Sequence, residues 1–225
     1  YRKQNDPETA KEARVTYQND LELYEKNKST YEREMENLRT DIANQQEYLD
    51  HSIWINMSPY DVCEARADLF VSTGYQIMPG MEYQNRDNTD TILQAYQSLL
   101  TSSAVLEDVA KQVKTEPRYL EELVEVTIGA NRDGQLNRML TIDVKHTTKE
   151  DAKEVLDAFL AHVDDMHDRI ATSIGEHTVS IVNESVSALV NLNLAELQRQ
   201  QTEKLTTLND SLQTQQTEYD ELEEP

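Results

Sequence analysis

The sequence predicts an α+β fold, a β-α-β-β-α-β unit framed by two long helices, one at each end of the chain. Three observations predict it. Both ends carry apolar residues at alternating steps of four and three, the seam of a coiled coil. Residues 63–77 alternate apolar and polar with the period of a half-buried strand. Two further alternating runs bracket a turn, Asn131, Arg132, Asp133, Gly134, in the manner of a hairpin.

Taken in order, the first helix opens at Pro7, with Asp6 as its cap, and its seam runs Tyr17, Leu21, Tyr24, Tyr31, Met35, Leu38, Ile42 and Leu49, with Lys28 and Gln45 in the two remaining slots. The other end repeats the pattern through Val190, Leu194, Leu197, Gln201, Leu205, Leu208, Leu212, Gln215, Tyr219 and Leu222, with one irregular step after Gln201. Each seam is narrow and the other faces are polar, so each needs a partner. Helices of about 40 residues, roughly 60 Å, joined by a compact domain pair antiparallel. The predicted arrangement is a stalk over residues 7–50 and 186–223 carrying a domain over residues 51–185. Matching the helix ends at Leu49 and Leu189 sets Met35 near Gln201, Tyr24 near Leu212, and the two chain ends together.

Within the domain, Cys63, Ala65, Ala67, Leu69 and Val71 share the core face of the first strand, and Glu64, Arg66, Asp68 and Ser72 the other, with a bend at Gly74. Cys63 on the apolar side reads as a small core residue. A Pro79-Gly80 turn precedes a helix capped by Asn88 or Thr89, with the stripe Ile92, Tyr96, Leu99, Leu106, Ala110 and Val113; Pro117 opens a short helical turn. Strands follow at Val124, Val126, Ile128 and at Leu140, Ile142, Val144. Thr147 and Glu150 form a capping box for a helix whose face runs from Ala152 through Phe159 to Ile174. The last strand covers residues 178–183. This order is that of split-βαβ, ferredoxin-like sheets, in which the first and last strands are neighbours and the flanking helices enter and leave at one edge.

Composition narrows the function. The 225 residues carry 21 Lys and Arg against 43 Asp and Glu, a formal charge of -22, which repels nucleic acid and anionic lipid heads alike. One cysteine allows neither an internal disulfide nor a thiolate-rich metal site. No apolar run is long enough to span a bilayer, no signal-peptide pattern opens the chain, and Tyr1 suggests a piece of a larger protein. Phosphate loops, dinucleotide fingerprints and nucleophile elbows are all missing from the sequence. His162 and His167 stand five apart, about 140° around a helix, so they cannot share a metal. Asn85, Asp87 and Thr89 echo a calcium loop, but Asp90 replaces its glycine, and capping is the better reading. The expectation is a chain without catalytic residues, metal or cofactor. Trp54, Met78, Met81 and Tyr83, apolar residues in connecting segments, are the candidate partner-binding residues.

Residues 60–185 resemble the extracytoplasmic domain of polysaccharide chain-length determinants, the Wzz-type co-polymerases. The resemblance rests on the strand over residues 65–73, the helix over 95–106, the strands over 124–128 and 140–144, the lead through Asp151 and Ala152 into a long helix, and the strand over 179–183. It implies a domain flanked by membrane helices on the outer face of the plasma membrane. Such a protein self-associates, acts with a separate polymerase or its lipid-linked polymer, and sets the length of capsule or exopolysaccharide without catalysis, with a cytoplasmic tyrosine kinase as a further partner. The sequence departs from that family in its long terminal helices, and the competing class is an extracellular sensor or adhesive module on a coiled coil.

Overall fold

The computed structural model describes residues 7–75, 79–80, 87–134 and 136–225. The chain forms a mixed helix-and-sheet structure in two compact units, residues 51–196 and, apart from them, residues 1–50 with 197–225.

The α/β unit begins with α2 (Ile53–Asn56), after α1 (Pro7–His51), and continues through β1 (Val62–Thr73), α3 (Thr89–Leu100), α4 (Ser103–Gln112) and α5 (Pro117–Glu121). It then runs through β2 (Val124–Ala130), β3 (Leu136–His146), α6 (Lys149–Ser173) and β4 (His177–Leu189), and hands over to α7 (Leu192–Asp220). The four strands form one sheet in the order β2-β3-β1-β4, and every neighbouring pair is antiparallel. One face is covered by α3 and α6. Ala65, Ala67, Leu69 and Val71 of β1 and Leu140, Ile142 and Val144 of β3 lie in a core with Ile92, Tyr96, Phe159 and Ile170. Tyr96 and Phe159 are the largest fully buried side chains, and the alanines of the central strand leave room for such bulk.

Several local expectations need correction. The single helix expected across residues 90–113 is two, because Thr101 and Ser102 interrupt it. Ser102 Oγ donates to the Leu99 carbonyl at 2.6 Å, the local competition that hydroxyl side chains offer helical backbone. α4 closes with Lys114 in the left-handed region, φ 56°, and Thr115 N donating to Ala110 O at 2.9 Å, a Schellman ending on a residue other than glycine. The cap of α6 is Thr148, whose Oγ1 accepts from Asp151 N at 3.0 Å, one residue later than the expected Thr147. β1 ends at Thr73, before the bend at Gly74. β4 runs on to Leu189 because β1 pairs with it all the way to Val62, so α7 begins at Leu192 where a helix from residue 186 was expected. The hairpin turn lies at Asn131 to Gly134, with Gly134 N donating to Asn131 O at 3.0 Å and Gly134 at φ +78°, where a side chain is disfavoured.

In the other unit α1 and the greater part of α7 lie side by side in opposite directions: Gln45 meets Gln201, and Tyr219 meets Glu32. Leu21, Tyr24, Tyr31, Leu38, Ile42 and Leu49 are half-buried and Met35 buried, as are the facing positions Leu205, Leu208, Leu212 and Tyr219 to a lesser degree. Two positions of the expected seams fall outside this contact, Tyr17, which is exposed, and Val190, which is exposed and precedes α7, and the register differs from the expected one. Gln45 Nε2 donates to both the backbone and side-chain oxygens of Gln201 at 3.0 Å, and this polar layer, with Gln45 only 5% exposed, fixes the offset as a buried amide does in a coiled coil. The start of α1 and the end of α7 are therefore not level. Tyr219 already stands opposite Glu32, so the first turns of α1 lie beyond the end of α7.

This register is checked by cross-linking with Cys63→Ala as background. Gln45→Cys with Gln201→Cys gives an intrachain disulfide on mild oxidation, whereas Met35→Cys with Gln201→Cys stays reduced. The reverse pattern on non-reducing gels refutes the Gln45–Gln201 layer.

Candidate functional site

On the face of the sheet opposite α3 and α6, Arg66, Asp68, Thr141, Asp143 and Asn183 form one polar network. The register places Arg66 of β1 opposite Asp143 of β3, and Asp68 opposite both Thr141 and Asn183. Arg66 Nη2 lies 3.0 Å from Asp68 Oδ1, and Nη1 lies 3.6 Å from Asp143 Oδ1. Thr141 Oγ1 donates to Asp68 Oδ1 at 2.7 Å and Asn183 Nδ2 to Oδ2 at 2.9 Å. Desolvation pushes the Asp68 carboxyl up, but the hydrogen bonds from Asn183, Thr141 and Arg66 together outweigh it and hold the group below the usual carboxylate range. Asp143 has no such set, and burial pushes it up in spite of Arg66. The network ties β1, β3 and β4 together through one carboxylate.

The histidines singled out by the sequence go separate ways. His162 Nε2 sits 3.2 Å from Asp108 on α4. His167 turns to the start of β4, its Nε2 donating to the His177 carbonyl at 3.0 Å and its Nδ1 to Asp168 at 3.1 Å. Those acceptors favour the charged ring and raise its pKa, the His177 carbonyl foremost. His177, which the sequence reading passed over, is buried against it, ring centroids 4.7 Å apart. Its Nδ1 donates to Gly175 O at 2.9 Å, which leaves Nε2 to accept from the Tyr96 hydroxyl at 2.8 Å. Burial pushes the Tyr96 hydroxyl up to about 12. With Tyr96 fully buried, this chain of groups anchors β4 to α3 and is closed to substrate. A helix-period search for metal ligands could not find His177, because it belongs to a strand.

Among the described residues, no group of three His, Cys, Asp or Glu side chains is placed to hold a metal ion. Burial pushes the Cys63 thiol up, away from the reactive thiolate. Asn88 is the N-cap of α3, and Asp87 before it accepts from Thr89 N at 3.0 Å and Thr89 Oγ1 at 2.6 Å and lies 3.3 Å from Arg138 Nη2.

Of the candidate partner residues, Trp54 lies on α2, half-buried against a small cluster of Met57, Val62, Leu123 and Leu194, with Lys145 Nζ 6.0 Å from its ring centre. The cluster sits where the chain enters β1 and leaves β4, beside the bond from Asn191 N to Pro59 O at 2.7 Å. Met78, Met81 and Tyr83 lie outside the described residues. No protein-family model matches the chain, and neither does any curated protein.

Two outcomes follow from these contacts. Thr141→Val removes one donor from Asp68 and costs about 1–2 kcal/mol near neutral pH. A depressed carboxyl stabilises the fold above its unfolded pKa and loses that contribution as pH falls through the folded value, so the cost shrinks in urea titrations at acid pH. A cost that does not change with pH refutes the role given to Asp68. Chelator treatment leaves the melting temperature unchanged, and a drop restored by zinc or calcium contradicts the separate roles of His162 and His167.

Proposed function

We propose that this chain is a non-catalytic, extracytoplasmic domain of a membrane protein that sets the chain length of a surface polysaccharide, capsule or exopolysaccharide, during its export. The sheet order carries the reading. A β2-β3-β1-β4 antiparallel sheet with its helices on one face supports a ferredoxin-like β-α-β-β-α-β reading, which the Wzz-type resemblance implies. Val62 pairs with Leu189, so the chain enters β1 and leaves β4 at adjacent strand ends, which supports the reading. A length regulator needs surfaces and self-association rather than a reaction centre. Its partners in this reading are further copies of itself, the polymerase or its lipid-linked polymer, and a cytoplasmic tyrosine kinase reached through the parent protein. The charge of -22 disfavours nucleic acid. Trp54, Met78, Met81 and Tyr83 are the proposed contact residues.

The reading is tested by deleting the gene in its host and sizing the surface polymer. Length regulation leaves polymerisation running and changes the size distribution. Loss of the polymer altogether points to an enzyme of the pathway, and an altered amount at unchanged length points to a sensor; either outcome refutes length regulation.

A further inference from the structure

β4 stands at one end of the sheet order, and no strand among the described residues covers its outer edge. An open row of backbone donors and acceptors is ordinarily blunted by lysine, proline or short length. β4 has 13 residues and neither Lys nor Pro. Every residue from Ser180 through Ala188 is exposed, including Ile181 at 51%, Val182 at 56% and Val186 at 37%. In a chain with a net charge of -22, the strand carries a single carboxylate, Glu184, and Lys153 Nζ holds it at 3.0 Å. A second acidic copy brings one like-charge contact, Glu184 against its own counterpart, and Lys153 beside each carboxylate offsets it.

The strand is also self-complementary. Turned about a two-fold axis at Glu184, with Val182 left over, it sets Ile181 against Val186, Ser180 against Ser187 and Val179 against Ala188 of the other copy. In an unbroken strand those partners would sit on opposite faces. The register shift between Asp68 and Leu69 leaves Val182 without a β1 partner, and that extra residue brings the two arms into phase. Ile181 and Val186 face the same side as Leu69 and Ala65, while Ser180 and Ser187 face the same side as Phe70 and Glu64.

We propose that β4 is the pairing edge for a second copy of this chain, aligned antiparallel across a two-fold axis to make one continuous sheet. The inference narrows the self-association in the reading above to one surface, and its test separates the two. Sedimentation velocity over a concentration series shows a monomer–dimer equilibrium, and amide exchange over residues 178–189 slows as the dimer forms. Ile181→Lys with Val186→Lys, both at exposed positions, weakens the dimer at least about tenfold with an unchanged melting curve. Should that variant melt lower, Ser185→Lys supplies the same block on the polar face. In a Cys63→Ala background, Ile181→Cys with Val186→Cys yields a disulfide-linked dimer. A protein monomeric at every concentration overturns the proposal. A dimer whose β4 amides exchange as fast as the monomer's also overturns it, and leaves self-association by another surface standing. Protection of β4 only when an unrelated extended peptide is added overturns it too, in favour of a different occupant.

Discussion

β1 is the constraint on which the α/β unit depends. It is an inner strand of the sheet, as β3 is, with β3 on one side and β4 along its whole length on the other. Its core face is Ala65, Ala67, Leu69 and Val71, none more than 1% exposed. Small residues at the centre of the sheet let two helices settle closely over it, and Tyr96 and Phe159 fill the space above. A strand in this position tolerates no slip, because moving by one residue would send Glu64, Arg66 and Asp68 into the core. The bulge at Asp68 is accommodated on the β4 side alone: β1 keeps an unbroken register with β3 through the same stretch.

The polar face and the bulge support each other. Asp68 sits at the irregular step and accepts from Arg66 on its own strand, Thr141 on β3 and Asn183 on β4. A bulge costs ladder hydrogen bonds, and a carboxylate fixed from three directions offsets that loss locally. At the other end of β4, His177 is held by Tyr96 and Gly175. The edge strand is thus pinned at its start and near its middle, while its outer side stays open.

Much of this was legible in the sequence, and the failures have physical causes. Period-two and heptad patterns are properties of burial, so the strand faces and both helix seams appear in them directly. A heptad seam, however, looks the same when slid along its partner, and the offset rests on one buried amide pair that Gln45 and Gln201 form only in three dimensions. The end of β4 was missed because the strand was read only to residue 183 and the helix from residue 186, and it is ladder pairing with β1 that holds residues 184–189 extended. The break at Thr101 and Ser102 and the shift of the cap to Thr148 are side-chain hydrogen bonds, which periodicity does not encode. The network around Asp68 needed the register of three strands. Trp54 was read as a partner-contact residue, and it lies half-buried beside the entry cluster.

The adjacency of Val62 and Leu189 also determines how the domain answers mechanical force. Tension applied through the two terminal helices reaches the sheet at the start of β1 and the end of β4, the same end of two antiparallel strands. Hydrogen bonds between such strands run perpendicular to them, so that load opens the ladder one rung at a time, like a zipper, rather than shearing all rungs together. Resistance is concentrated at the first rungs, where the Asn191–Pro59 bond and the cluster of Met57, Val62, Leu123 and Leu194 take the strain. Once they give, β4 peels away from Leu189 back toward the bulge, while β1, β2 and β3 remain paired. The domain is built to yield stepwise at one corner under tension and to keep the rest of its sheet.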